Sequence, residues 1–221
     1  TQCIRDYIFP AYAELKEGLT ALRETGKNNN GLCHLPDGRR YYELVVASET
    51  GSSRDIPELQ RLTQQQMISD LTDMQKILTP AAGNPSLSSD LFKEQGVVLK
   101  DPDPASILAG LKKKLADNFP EPLKVNTQIK YVQKSMEEYL SPAFYMIPAI
   151  DNAAENVIYI NQGRLSDDLS LFTTLAHEGY PGHLYQTTYY AGQNPNPIRN
   201  LLNFGGYVEG WATYSEMMSY Y

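Results

Sequence analysis

The sequence predicts a mainly helical α+β fold, in which a helical bundle carries a small antiparallel sheet beside the helix that holds a candidate site. Through most of the first 120 residues, apolar side chains recur every three or four positions, which is the spacing of one face of a helix. Between residues 124 and 161, runs rich in β-branched and aromatic residues predict short strands. The chain has 221 residues, 42% of them hydrophobic and 20% charged, and this composition is typical of a globular domain.

The first half of the sequence predicts a series of helices separated by breaker residues. The first of these helices ends before Gly26 and an asparagine-rich turn. The third begins at Asp55, just before Pro57, and ends ahead of Pro80. Helices are predicted, in chain order, over residues 2–25, 41–48, 55–78, 88–95 and 104–118.

The second half predicts strands first and helices afterwards. Strands are predicted within residues 124–136, 143–150 and 156–161, and the last two form a hairpin. A helix then begins at Ser166 as N-cap, with acidic residues in its first turn, where the helix dipole favours them. Another helix begins at residues 196–197, where a capping Asn precedes a Pro.

Charge and hydropathy exclude two classes of protein. The net charge of −7 opposes a broad nucleic-acid-binding surface, and the one basic run, residues 112–114, lies in a helical pattern as a solvated face. No apolar run is long enough to cross a bilayer, so no transmembrane segment is predicted. Cys3 and Cys33 are compatible with one disulfide or with two free thiols.

Two of the three histidines lie close together, at His177 and His183, and Glu178 follows the first. A His-Glu pair on a helix with a second His nearby is typical of zinc peptidases, in which the histidines bind Zn²⁺ and the Glu is the general base. The third histidine, His34, follows Cys33 without a second such pair, so we expect a loop residue.

The spacing of the two histidines requires a break in the helix. Residues six apart lie about 240° apart around a straight helix and cannot share a metal ion. Pro181 cannot donate to the carbonyl of His177, and Gly182 adopts backbone angles that other residues avoid. The sequence therefore predicts a break at these two residues that turns His183 back to face His177.

The last predicted helix offers the third ligand that a hydrolytic zinc site needs. Glu209 and Glu216 are seven residues apart and lie on one helix face, and Glu209 is the favoured ligand. The small residues Gly210 and Ala212 permit close approach of another helix. Tyr180 and Tyr207 flank the expected ligands, and we expect one or both of them to hydrogen-bond a developing oxyanion.

These motifs resemble the bacterial domain-of-unknown-function 885 family. The resemblance is carried by His-Glu-Gly-Tyr-Pro-Gly-His at residues 177–183 and Glu-Gly-Trp-Ala-Thr-Tyr-Ser-Glu at residues 209–216, and by residues 41–51 and 145–161. It covers most of the chain. Many members have two adjacent histidines at the second ligand, whereas Leu184 follows His183 here.

The family is grouped with helical, gluzincin-like zinc metallopeptidases. The resemblance implies that His177, His183 and Glu209 bind Zn²⁺ and that Glu178 is the general base. It also implies one catalytic domain over residues 1–221, a truncated part of a longer chain. Residues 1–120 are its helical part, and residues 121–221 supply the sheet and the metal-site helices. A location in the cell envelope or outside the cell is the corresponding expectation.

The expected activity is hydrolysis of a peptide substrate. We expect the strand at residues 157–161 to lie at the sheet edge and to bind an extended peptide through its main chain. Because family members are longer, the flanking segments of the same polypeptide are expected partners, and the isolated chain is expected to have little or no activity. Two alternatives stay open: a non-catalytic helical binding module with a degenerate metal site, and a zinc hydrolase of non-peptide amides or esters.

Overall fold

The computed structural model of the chain describes residues 2–27, 30–83 and 99–220. These residues divide into two compact units, Thr1–Val46 and Ala47–Tyr221. In the first unit, a π-helical segment, Ile4–Ile8, continues directly into helix α1, Phe9–Leu22, which confirms the first predicted helix. Helix α2, Gly38–Thr50, covers the second predicted helix and extends it at both ends. The pattern at residues 88–95 lies outside the described residues.

Two capped helices follow within the second unit. Helix α3, Ile56–Ala82, begins as predicted, because the Asp55 carboxylate accepts a hydrogen bond of 2.8 Å from the Glu58 amide. Pro80 lies inside its last turn, so the helix extends beyond the predicted end. Helix α4, Pro104–Lys114, is capped by Asp103 and continues into a short 3-10 turn, Leu115–Asp117.

The three predicted strands form, but their arrangement differs from the prediction. Strands β1, Asn126–Tyr131, β2, Ala143–Met146, and β3, Glu155–Ile160, make a mixed sheet in the order β1-β3-β2. The β2–β3 hairpin is antiparallel as predicted, with Ala143 opposite Ile160. The prediction of an all-antiparallel sheet was wrong, because β1 pairs with the far side of β3 and two chain reversals leave those two strands parallel.

Strand β3 is central in this sheet. It pairs with β1 along one side and with β2 along the other. Its main chain is therefore occupied, and the prediction that residues 157–161 form an exposed edge was wrong. Alternate side chains of β3 are fully buried, since Asn156, Ile158 and Ile160 are each at most 1% exposed. Within the described sheet, the outer edges belong to β1 and β2.

Further helices follow the sheet in the second unit. Helix α5, Asp168–Glu178, is capped by Asp167, whose carboxylate accepts from the Ser170 amide at 2.7 Å. The predicted cap at Ser166 was thus wrong by one residue, because a charged carboxylate at the next position forms the capping hydrogen bond. Helix α6, His183–Gly192, follows after a break.

The last predicted helix is divided into two segments. Asn196 caps its start as predicted, but what it caps is a 3-10 turn, Pro197–Leu201, and the helix proper is α7, Gly205–Met218. Leu202 is extended, which ends the turn. A Cβ atom at Gly206 would lie 3.0 Å from the Thr50 carbonyl oxygen, so α7 begins where the backbone approaches closely.

The hydrophobic core lies among α4, β3, α5 and α6. Leu175 on α5 and Leu184 on α6 are fully buried in it, one on each side of the helix break. The core residues are Ile107, Leu108, Leu111, Leu115, Ala143, Tyr145, Ile158, Ile160, Leu171, Leu175, Ala176, Tyr180, Leu184 and Tyr185. This packing fixes the two helices that carry the histidines. In the described part of the chain, no helix combines the length and the apolar character that a membrane span requires.

Candidate metal centre

The helix break predicted at residues 181–182 is present. Helix α5 ends at Glu178 and α6 begins at His183, and the Tyr180–Pro181 peptide bond between them is cis. The Gly182 amide donates to the Ala176 carbonyl at 3.0 Å, which folds the segment back onto the end of α5. A Cβ atom at Gly182 would lie 1.8 Å from the His177 carbonyl oxygen, so only glycine fits there without movement of the backbone.

This break brings the two histidines together. The rings of His177 and His183 meet edge to face, with centroids 4.8 Å apart. Oε2 of Glu209, on α7, lies 3.5 Å from Nε2 of His177 and 3.7 Å from Nε2 of His183. One ligand atom from each of the three side chains lies within 4.8 Å of the other two. The structure therefore assembles the three residues that the sequence named as metal ligands.

The donor set and its spacing fit a zinc ion. Zinc binds His nitrogen and carboxylate oxygen at about 2.0–2.2 Å, so donors of one tetrahedral site lie about 3.3 Å apart. The two distances from Glu209 are close to this value. The His177 and His183 side chains are 19% and 12% exposed, whereas Glu209 is 64% exposed. The group is therefore open to solvent on the Glu209 side, where a hydrolytic zinc site needs an open position.

Glu216 has a different role from that of Glu209. Its Oε2 lies 3.1 Å from Nδ1 of His177. A proton on Nδ1 donated to this carboxylate leaves the lone pair on Nε2, which faces Glu209. The sequence offered Glu216 as a second possible ligand, and its spacing of seven residues from Glu209 was the signal that both lie on one face. The structure makes it the residue that orients His177.

Glu178 is held next to the ligands by the sheet. Its Oε2 accepts a hydrogen bond of 2.7 Å from the Tyr145 amide of β2. Burial raises the pKa of the Glu178 carboxyl, while the Tyr145 amide and His177 oppose that rise. Sequence patterns gave no sign of this contact, because it is made by a main-chain amide 33 residues away.

The surroundings of His183 affect the pKa of its imidazole. Burial lowers the pKa of its imidazole, and the neighbouring His177 lowers it further, although Glu209 acts in the opposite direction. Only a neutral imidazole offers a nitrogen lone pair to a cation. The surroundings of His183 therefore favour the neutral ring that a ligand must be.

Helix α7 is tied to the break by Trp211. Its indole Nε1 donates a hydrogen bond of 2.7 Å to the Pro181 carbonyl. Ala212 is fully buried, which is what a residue at a close helix contact requires. The same prediction for Gly210 was wrong, since, apart from the backbone of α7 itself, no atom of the described residues lies within 4 Å of the position that its Cβ would take. The sequence gave no signal for the Trp211 hydrogen bond.

The two tyrosines proposed as oxyanion donors occupy different surroundings. Tyr180 is 2% exposed, and its hydroxyl is buried without a hydrogen-bond partner among the described residues. The structure therefore does not bring the Tyr180 hydroxyl to the open side of the centre, where a substrate carbonyl would lie. Tyr207 is 58% exposed and lines an open cavity of about 440 Å³. Its role remains a prediction.

Comparisons with known proteins identify a family and a fold. The sequence profile of a family described as bacterial protein of unknown function (DUF885) matches residues 1–220. No curated protein matches the sequence. A crystal structure described as "the putative lipoprotein from Colwellia psychrerythraea" is similar to this chain, with a TM-score of 0.79 at 19% identity. The match covers 98% of this chain but 40% of that one, so the chain spans about two fifths of that protein's length.

Proposed function

The chain belongs to the bacterial domain-of-unknown-function 885 family, and we propose that it is a zinc-dependent hydrolase that cleaves peptide bonds. The observation that carries the proposal is the convergence of His177, His183 and Glu209, whose ligand atoms lie within 4.8 Å of one another. When bound there, Zn²⁺ supplies a water of lowered pKa and polarises the carbonyl that is attacked.

The general base in this proposal is Glu178. Glu178 directly follows the ligand His177 in the sequence, and its carboxylate is anchored by the Tyr145 amide. From this position it accepts the proton of the attacking water and passes it to the nitrogen of the leaving amine. Burial raises the pKa of this carboxyl, which makes it a stronger proton acceptor, and the Tyr145 hydrogen bond holds it in place.

Two hydrogen bonds preorganise the ligands. Glu216 fixes the ring of His177, and Trp211 holds the Pro181 carbonyl, which belongs to the segment that turns His183 around. Helix α7 supplies both of these partners as well as the ligand Glu209. A ligand set fixed in this way loses little free energy to reorganisation when a metal ion or substrate binds.

The peptide is proposed to bind at the edge of β2. This strand pairs with β3 along one side only, and its Tyr145 amide faces the general base. Beyond the buried Ala143 and Tyr145, Met146 and Ile147 are 51% and 69% exposed. An extended peptide lying along this exposed end would run past Glu178 toward the metal ligands.

The proposal extends to the place of the protein in the cell. The similar crystal structure is described as that of a lipoprotein. This supports a location in the cell envelope, where a peptidase would act on envelope or imported peptides.

Metal content tests the centre directly. Inductively coupled plasma mass spectrometry of the purified protein after zinc reconstitution should give about one Zn per chain. His177→Ala, His183→Ala and Glu209→Ala should each lose it, whereas His34→Ala and Glu121→Ala, at exposed positions, should keep it. A folded protein that takes up no zinc, or variants that retain it, would contradict the proposed centre. Because the isolated chain is expected to have little or no activity, the reaction is then tested by cleavage of a peptide library with the flanking segments of the same polypeptide present, and all activity measurements use that form.

A further inference from the structure

An open cavity of about 440 Å³ is lined partly by residues of α6 and α7, the helices that carry His183 and Glu209. Gln186, which lines it, lies one turn beyond His183 on α6, and Val208 directly precedes Glu209 on α7. Ile147, just after β2, also lines the cavity. One end of the cavity is therefore formed by residues that neighbour the ligands and the edge strand in the sequence.

The cavity lining combines apolar side chains with uncharged polar ones and a single cation. Its walls include Ile150, Leu202 and Phe204, and of the described residues that line it, Arg199 alone carries a charge. The Arg199 guanidinium lies over the ring of Tyr190, 5.7 Å from the ring centroid. No carboxylate of the described residues forms an ion pair with it. In a protein of net charge −7, this is a solvent-exposed positive group beside the apolar part of the cavity lining.

Arg199 lies over a residue near the opposite end of α6 from His183. Its partner Tyr190 lies seven residues beyond His183 on the same helix. A helix rises about 1.5 Å per residue, which separates the two residues by about 10 Å along the axis. An extended peptide rises about 3.3 Å per residue, so about three peptide residues span this distance.

We propose that this cavity binds the C-terminal end of a peptide substrate and that Arg199 binds its terminal carboxylate. The inference rests on the proposed function and names its substrate: peptides with a free C-terminus and apolar last residues, from which di- or tripeptides are released. In the hydrolysis, the water oxygen bonds to the scissile carbonyl carbon, the carbon–nitrogen bond breaks, and the leaving nitrogen receives a proton through Glu178.

The chemistry of Arg199 suits this ligand. A planar guanidinium donates two parallel hydrogen bonds to a carboxylate, and stacking on Tyr190 holds its plane. The apolar walls beside it match the side chains of the last residues, whereas an internal peptide segment offers no terminal carboxylate at this distance. The pairing of Arg199 with a terminal carboxylate therefore distinguishes the C-terminus of a peptide substrate from an internal segment.

The test compares a fluorescein-labelled hexapeptide with apolar C-terminal residues as the free acid and as the C-terminal amide. Binding is measured by fluorescence anisotropy to zinc-loaded protein carrying Glu178→Gln, which blocks cleavage. We expect the acid to bind about tenfold more tightly, the gain of one charged hydrogen-bonded pair. Arg199→Gln should abolish the difference without weakening the amide, Arg199→Lys should keep part of it, and Arg61→Gln, on the exposed face of α3, should keep all of it.

Equal binding of the two peptides, or a preference that survives Arg199→Gln, would overturn the inference. Because the amide does not use Arg199, its unchanged affinity shows that the variant is folded. Mass spectrometry of products from the unsubstituted protein separates this inference from the proposed function. Cleavage of both peptides without a preference for the acid would support the hydrolase and contradict the Arg199 site. Tighter binding of the acid without any cleavage would support the Arg199 site and contradict the hydrolase.

Discussion

Nδ1 of His177 lies 3.1 Å from Oε2 of Glu216, a residue two turns beyond the ligand Glu209 on the same helix. The contact fixes which ring nitrogen of His177 faces the metal site. Helix α7 thus contributes one carboxylate at the expected metal position and another behind the first histidine.

Removal of this contact should weaken metal binding without abolishing it. We expect Glu216→Ala to reduce zinc affinity by about 10- to 100-fold, because a ligand histidine whose orienting partner is lost is less basic and less ordered. Zinc affinity is measured by competition with a chromophoric chelator. Glu121→Ala is the control, and an unchanged affinity for Glu216→Ala would show that His177 needs no partner.

Substitution of Gly182 should disrupt the centre through the backbone. A side-chain Cβ there would lie 1.8 Å from the His177 carbonyl oxygen, so Gly182→Ala must displace the chain between the two histidines. We expect a loss of about 3 kcal/mol in the free energy of unfolding, as for an overpacked site, together with loss of zinc.

Gly110→Ala, inside helix α4, is the matched control for this substitution, because its Cβ would meet no atom of the described residues within 4 Å apart from the helix's own backbone. For Gly110→Ala we expect the free energy of unfolding to rise by about 0.5–1 kcal/mol and the zinc content to stay unchanged. Urea unfolding measures both variants. If Gly182→Ala were as stable as the unsubstituted protein, the tight turn at the break would not exist.

Loss of the Trp211 hydrogen bond should affect stability and zinc affinity together. Trp211→Phe removes the donor to the Pro181 carbonyl. We expect it to lower the free energy of unfolding by about 1 kcal/mol and the zinc affinity several-fold. Tyr185→Phe removes a hydrogen bond of 2.9 Å to the Pro120 carbonyl and is the control. It should cost similar stability but leave zinc affinity unchanged. Equal zinc affinity in both variants would mean that Trp211 does not hold the break.

Replacement of the general base should separate binding from reaction. Glu178→Gln keeps a side-chain oxygen to accept from the Tyr145 amide, so zinc content should be unchanged. Peptide hydrolysis should fall by about 10²- to 10⁴-fold, the usual contribution of a positioned proton acceptor. Zinc content and initial rates are measured on the same preparation. A variant with full activity would remove Glu178 from the mechanism.

The features predicted well from the sequence are those that depend on a few neighbouring residues. Asp55 caps α3 because its carboxylate lies three residues before an amide that needs a partner. The break between His177 and His183 follows from Pro181 and Gly182, which cannot continue a helix. The three strand segments follow from local composition in the same way.

The features that were missed depend on residues far apart in the chain. Strand composition does not say which neighbour β1 pairs with, so its parallel pairing and the central place of β3 were not predictable. The burial of Tyr180 is set by packing around the core, whereas its place in the sequence, between the two histidines, suggested exposure to substrate. The Glu178 contact with a strand amide 33 residues earlier has no local pattern.

Trp211 is the only tryptophan in the sequence, and its indole nitrogen donates a hydrogen bond to the carbonyl of Pro181, where the helix breaks. The intrinsic tryptophan emission of the protein therefore originates from a single position, two residues from Glu209. The chain carries an optical reporter beside its own candidate centre, and the loading of a metal ion or the arrival of a substrate can be followed by emission wavelength and intensity without any label.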